Sequence, residues 1–600
     1  MSINELPLTI AHLQRAYSQG LKPAELVREV KRRVALASKN PIWIHLLSDE
    51  ELVPHLDYLN GYAPGDLPLY GVPFAIKDNI DLAMVPTTAA CPAFAYTPRD
   101  SAFVVASLLR AGAIPIGKTN LDQLATGLVG TRSPFGAVSN AFDESLISGG
   151  SSAGSAVSVA LGQVTFSLGT DTAGSGRVPA ALNNLIGYKP TRGLLSTSGV
   201  VPACKTLDCV SIFGLNIEDV QQVASVAVEY DAADAYARLP ALSKPVHKPI
   251  GLLRVGLPEP SQLAFFGDEA YEGLFGRVTE EVSEQYDTCV KDISPLLAAA
   301  KLLYEGAWVA ERYHAAKELI EHQPEALREE FLAVVSSATA LSAVDYFDGA
   351  YRLAEFKRQA ELLFSDIDVL LLPTVGTHYS LADVSESPLQ RNSDNGFYTN
   401  FVNLLDMAAL AIPAGFTKAG LPFGISLIGE AMTDEALLTF GRRLLAGKGQ
   451  FQQRKIGATG INMTEPLAVP TLTDTMPIAV CGAHLSGMPL NGQLLERHGV
   501  LREATTSAPC YRLYALPGGP PMRPGLVRTA TGVCIDVEVY DVPKLHVGSF
   551  LAGIPKPLGL GQLELASGEW VSGFICEPAG IDGAEDVSAF GGWRAYIASL

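Results

Sequence analysis

Two short segments hold the residue types from which a hydrolytic site could be built. They read SGGSSAGSAVSVALG at 148–162 and GTDTAGSGR at 169–177. Glycine permits unusual backbone angles and close approach, and successive N–H groups in such a loop can converge on an oxyanion. A serine there becomes a nucleophile only with a base in reach. No histidine occurs between His55 and His247, so a Ser–His–Asp triad would import its histidine from far along the chain. A lysine is at hand instead. Lys77 ends the apolar run VPFAI, which predicts a buried strand. Burial disfavours the ammonium form, and a neutral amine can take up a proton near neutral pH. The stretch Gly150–Gly154 also fits a G-x-S-x-G elbow with Ser152 at its centre. That motif asks for a strand directly before it and a histidine after it, and NAFDESLIS is a poor strand.

The elements that must position these residues follow from pattern. The first 40 residues predict two helices, one ending at Gly20 and one starting at Pro23, with Leu26, Val27, Val30 and Val34 on one face. Between about 70 and 200, strands such as YGVPFAIKD alternate with helical stretches such as FVVASLLRAGA. That alternation predicts an α/β fold with a central mixed sheet flanked by helices. Residues 265–365 read as mostly helical, DVLLLPT (368–374) and FGISLIG (423–429) as strands, and a helix follows to about Gly447. The segment 451–476 has weak periodicity and reads as a linker. It separates a catalytic domain at 1–450 from a small α+β domain at 477–600, which opens on IAVCGAHL.

Composition narrows the function classes. The chain has 600 residues, 48% hydrophobic and 18% charged, which is globular and long enough for more than one core. The net charge of −19 and the lack of a basic stripe argue against a nucleic-acid partner. An anionic substrate would need a local cation. No run of about 18 apolar residues predicts a membrane span, and no basic start followed by an apolar stretch marks a signal peptide, so a cytoplasmic protein is expected. The 8 cysteines form no CxxC pair and read as free thiols. The ten histidines lack HxxxH spacing, so no metal site is indicated, and no cofactor is expected.

The blocks VPFAIKDNI, GKTNLDQLATG, GTRSPFGAVSNAFD, SGGSSAGSA and GTDTAGSGRVPAA resemble the amidase-signature family over about 65–215, and the likeness continues to about 445. The family places its relay serine 24 residues before the nucleophile, and here 175 − 151 = 24. The resemblance implies Ser175 as nucleophile, Ser151 as proton relay and Lys77 as terminal base. It also implies a cis peptide at Gly150–Ser151 and an oxyanion hole from the N–H groups of Thr172, Ala173 and Gly174. Ser152, Asp171 and Arg177 would be supports.

Tyr304 and Arg312 lie eight residues apart in LLYEGAWVAERYHA (302–315), which reads as one helix, so both can face one side. Such a pair is often structural, yet an arginine fork with a tyrosine hydroxyl also suits a carboxylate. The YEGAWVAER stretch and the block around Gly130 and Thr131 resemble the allophanate-hydrolysing branch of the family. That likeness implies a small anionic substrate held by Tyr304, Arg312, Gly130 and Thr131, within urea catabolism. AVCGAHLSGMPLNGQL, YRLYALPGG, GVCIDVEVYDVP and VSGFICEP resemble that branch's extra domain, whose fold is like γ-glutamyl cyclotransferase. There His484, and more weakly Glu538, would act on the decarboxylation of the first product. Nothing reads as an ATP-grasp domain or a biotinyl-lysine AMKM motif, so the likeness is to the stand-alone hydrolase, expected as a homodimer. Two other readings remain at this point: a general small-amide amidase, and a catalytically idle amidase-like scaffold.

Overall fold

The N-terminal residues form the two helices that their pattern predicts. In a computed structural model, which describes residues 3–239, 253–447, 449–451, 457–459 and 475–600 except 496 and 498, they span Ile10–Ser18 and Pro23–Leu36. Thr9 caps the first by accepting from the His12 N–H at 3.4 Å, and Gly20 turns the chain at φ 102°. Pro23 opens the second helix, and Leu26, Val27, Val30 and Val34 are buried.

The described residues divide into two compact units, one within 3–459 and the other within 475–600. Most of the segment 451–476 lies outside the described residues.

The first unit is built on an eleven-stranded mixed sheet. Its strands are β1 (Trp43–Leu46), β2 (Pro73–Lys77), β3 (Ile114–Thr119), β4 (Phe166–Asp171), β5 (Ile186–Lys189), β6 (Cys209–Gly214), β7 (Arg254–Pro258), β8 (Asp287–Lys291), β9 (Val369–Pro373), β10 (Ala408–Phe416) and β11 (Pro422–Gly429). Their spatial order is β1-β3-β2-β4-β6-β5-β10-β11-β9-β7-β8. β2 runs parallel to both β3 and β4, with Ile76 opposite Lys118 on one side and Leu168 on the other. Every residue of these three strands is buried, which explains why VPFAI reads as an unbroken apolar run. The helix Ala153–Ala160 is likewise buried along its whole length, as its small side chains allow. With helices flanking the sheet, the unit is the α/β fold expected.

The stretch 265–365 is mostly helical and also holds an edge strand, β8, parallel to β7. Its sequence DTCVK carries no apolar run because its side chains are exposed or only partly covered. The single helix expected over 302–315 is two helices, Ser294–Glu305 and Trp308–Ala315. Gly306 breaks it, with extended backbone and so close to Leu302 that a Cβ would lie 2.5 Å from the Leu302 carbonyl oxygen.

The second unit has a five-stranded sheet and a three-stranded sheet with short helices. Tyr511, Tyr540, Phe550 and Trp593 anchor its core. Among the described residues the cysteines are free, and no single helix is long and apolar enough to cross a membrane.

The helix Ala153–Ala160 sits tightly against the backbone near β1 and β3. A Cβ on Gly154 would lie 2.2 Å from the Ile42 carbonyl oxygen and 2.8 Å from the Asn120 nitrogen, and neither is a flexible side chain. Gly154→Ala is therefore expected to lower stability by about 1–3 kcal/mol. Urea unfolding followed by fluorescence checks this.

Candidate active site

β2 delivers Lys77 to the end of a fully buried strand, and β4 delivers Thr170 beside it. Lys77 Nζ donates to Thr170 Oγ1 at 2.7 Å and to Ser151 Oγ at 2.8 Å. Ser151 Oγ in turn donates to Ser175 Oγ at 2.9 Å. The peptide Gly150–Ser151 is cis. Burial pushes the Lys77 amine down to about 7, against the opposing charges of Asp122, Asp208 and Asp171. A hydroxyl both donates and accepts, so the chain can reverse and run from Ser175 through Ser151 to a neutral Lys77. The arrangement can thus withdraw a proton from Ser175 without an imidazole.

Beyond this chain lies a buried ion pair. Arg177 donates from Nε and Nη2 to the two Asp171 oxygens, each at 3.0 Å. Burial opposes the Asp171 charge, but the Arg177 guanidinium outweighs it and holds the carboxyl below its usual range. Arg177 Nη2 also donates to the Thr399 carbonyl and Asn403 Oδ1 at 3.2 Å. The Asp171 oxygens accept from Gly174 N at 2.9 Å and Gly176 N at 3.0 Å. Of the three N–H groups expected to form an oxyanion hole, that of Gly174 is thus bonded to Asp171. Among the described residues, the N–H groups of Thr172, Ala173 and Ser175 have no protein acceptor. Ser152 Oγ donates to the Thr170 carbonyl at 3.1 Å and, among the described residues, has no basic side chain as a hydrogen-bond partner. Among the described residues no strand leads directly into it, whereas the elbow reading requires one.

Nothing in the sequence pattern singles out Asp122, yet it holds the wall beside Ser151. Its carboxylate accepts from the N–H groups of Val129, Gly130 and Arg132 at 3.3, 3.1 and 2.9 Å. Gly130 is expected to contact substrate, but its N–H is committed to Asp122 and its carbonyl accepts from Val138 N at 3.0 Å. It adopts φ 76°, and a Cβ would lie 2.4 Å from Ser148 Oγ, so glycine is what the wall accepts here. Thr131 beside it is half-buried. Thr170 and Asp208 likewise carry no sequence signal. Asp208 is buried, accepts from the Thr172 hydroxyl and from the Ala203 and Cys204 N–H groups, and is pushed up to about 6 by burial.

The break at Gly306 does not part Tyr304 from Arg312. The Arg312 guanidinium lies over the Tyr304 ring, 5.2 Å from its centroid. Arg312 is 2% exposed, and its Nη1 donates to Thr126 Oγ1 at 3.1 Å. Thr126 adjoins Gly127, whose carbonyl oxygen is 3.5 Å from Ser175 Oγ. Arg312 Nε has no protein partner among the described residues. A buried cation with a spare donor near Ser175 suits a small anion.

In the second unit, His484 and Glu538 go separate ways. His484 lines a cavity of about 190 Å³ with Gln493, Arg523 and Phe574. Its Nε2 lies 3.0 Å from Gln493 Oε1, and its ring stacks on Phe574 at 5.0 Å. Burial lowers its basicity, and Arg497 and Arg523 add to that. Glu538 lies outside the cavity wall. Its carboxylate accepts from Ser486 N and Oγ at 2.6 and 2.9 Å, from Tyr540 OH at 3.2 Å and from Arg594 Nη2 at 2.7 Å. Three of these bonds fall on Oε2 and one, from Arg594, on Oε1. Among the described residues no cluster could hold a metal ion.

Residues 25–438 match the family described as Amidase, and residues 476–598 match the one described as Allophanate hydrolase C-terminal domain. The chain is 44% identical over 576 residues to the urea amidolyase of Saccharomyces cerevisiae, a match covering 93% of this chain and 31% of that protein. It therefore spans under a third of that curated relative's length. It is 45% identical over 579 residues to the urea amidolyase of Lachancea kluyveri, covering 94% of this chain and 31% of that protein. Among solved structures, the allophanate hydrolase of Kluyveromyces lactis is 41% identical with a TM-score of 0.80, covering 99% of this chain and 100% of that one.

A base that works uncharged loses activity as it is protonated. With the Lys77 amine near 7, kcat/KM for an amide is expected to fall about tenfold per pH unit below that value and to level off above it. Lys77→Met is expected to lower kcat by about 10²–10⁴-fold. A pH–rate profile of both proteins checks this.

Proposed function

The chain belongs to the amidase family, and from that premise we propose that it hydrolyses the terminal amide of allophanate in urea catabolism. We read it as the hydrolase part that it shares with the longer urea amidolyases. The observation that carries the substrate is Arg312: a buried cation whose Nε has no protein partner among the described residues, beside the nucleophile's wall, in a protein of net charge −19.

In this reading Arg312 and Tyr304 hold the allophanate carboxylate. Ser175 Oγ bonds to the terminal carbonyl carbon, and its proton passes through Ser151 to Lys77. The negative oxygen that forms meets the N–H groups of Thr172 and Ala173, with Ser175 N beside them. The C–N bond then breaks, and the proton returns through the relay to the leaving ammonia. Water hydrolyses the acyl-enzyme by the same route and releases N-carboxycarbamate. Loss of carbon dioxide from that product falls to the second unit, with His484 acting in its cavity. A homodimer and a cytoplasmic setting complete the proposal.

Ser175→Ala is expected to release no ammonia from allophanate, and normal turnover would overturn the nucleophile's assignment. Arg312→Ala is expected to raise KM for allophanate about 100-fold, with much less effect on biuret, the uncharged diamide of the same shape. Equal effects on the two substrates would mark a general small-amide amidase.

A further inference from the structure

The anion anchor and the oxyanion turn belong to different elements, and one short turn ties them together. Arg312 sits on the helix Trp308–Ala315, whereas Thr172 and Ala173 follow β4. The turn 203–208 lies between them. On one side Asp208 accepts from the Thr172 hydroxyl and closes the turn through the Ala203 and Cys204 N–H groups. On the other side Thr206 donates to Glu311 twice, from N to Oε1 at 2.8 Å and from Oγ1 to Oε2 at 2.7 Å. Glu311 immediately precedes Arg312. A bidentate clasp of this kind fixes direction as well as distance.

We propose that Glu311 is a positioning residue. Through Thr206 and the turn closed by Asp208, it sets the spacing between the Arg312 guanidinium and the Thr172–Ala173 amides. The site thereby favours amides whose carboxylate lies at that one distance from the scissile carbonyl. The inference rests on the allophanate reading and adds a source for its specificity. A misplacement of about 1 Å far from the reacting atoms can cost about 100-fold in rate, so a spacer of this kind has leverage.

Electrostatics alone makes the opposite prediction, which gives the test its sign. Glu311 is an anion beside Arg312, so removing its charge would strengthen the hold on an anionic substrate if charge were its only role. With the full chain, Glu311→Ala is expected to raise KM for allophanate about tenfold while kcat/KM for biuret stays within about twofold. Glu311→Gln keeps an acceptor for the Thr206 N–H and a partner for its hydroxyl, so it is expected to restore KM for allophanate to within about twofold of the unmodified chain. Fluorophosphonate labelling of Ser175 at the unmodified rate establishes that each variant is folded. Should Glu311→Ala fail that control, Thr206→Val decides, with a smaller rise in KM for allophanate expected. An unchanged or lowered KM in the deciding variant, or a Glu311→Gln protein that behaves like Glu311→Ala, overturns the proposal. If the unmodified chain releases no ammonia from allophanate, the substrate reading fails and this inference falls with it.

Discussion

An amine sealed from bulk solvent, with no carboxylate paired to it, is the constraint on which the site depends. Lys77 reaches that state because β2 lies between two parallel neighbours and is covered on both faces. Three carboxylates stand near enough to favour its charge, yet each is engaged elsewhere. Asp171 is held by Arg177, Asp122 by three backbone N–H groups, and Asp208 by Thr172 and its own turn. Among the described residues none forms an ion pair with Lys77. Desolvation therefore outweighs attraction, and the amine rests near neutrality. Thr170, Ser151 and Ser175 are drawn onto this nitrogen as a short line of hydroxyls, each within 2.9 Å of the next group along it.

The same logic separates the two polar residues of the C-terminal unit. Glu538 is buried among donors from Ser486, Tyr540 and Arg594, away from the cavity that His484 lines. His484 stands at a cavity, packed between the rings of Phe574 and Phe550, with one ring nitrogen near Gln493. A polar group whose bonds are complete stabilises a fold, and one left with capacity at a cavity can do chemistry.

Much of the fold and part of the site are legible in the sequence. VPFAI followed by lysine announces a buried amine, and the missing histidines point away from an imidazole relay. The Gly/Ser loops and the alternating strands and helices locate the serines within an α/β sheet. Other features depend on tertiary partners and leave no local pattern. Asp122 and Asp208 read as ordinary acids in NLDQL and KTLDC until folding places backbone N–H groups around them. Gly130 and Gly174 resemble ligand-facing glycines, but their N–H groups are taken by Asp122 and Asp171. The helix break at Gly306 is hidden by apolar residues that keep a helical spacing across it. β8 escapes a sequence reading because an edge strand needs no apolar run.

The clamp on the turn that carries Ser175 comes from late in the chain. Arg177 is fastened to Thr399 and Asn403, 222 and 226 positions onward, and β5 gains its outer neighbour only with β10. A ribosome thus finishes the lysine and both serines long before it supplies the residues that hold them in register. An unfinished polypeptide carries the reactive groups without their brace, and catalytic competence arrives only as synthesis of this unit nears its close.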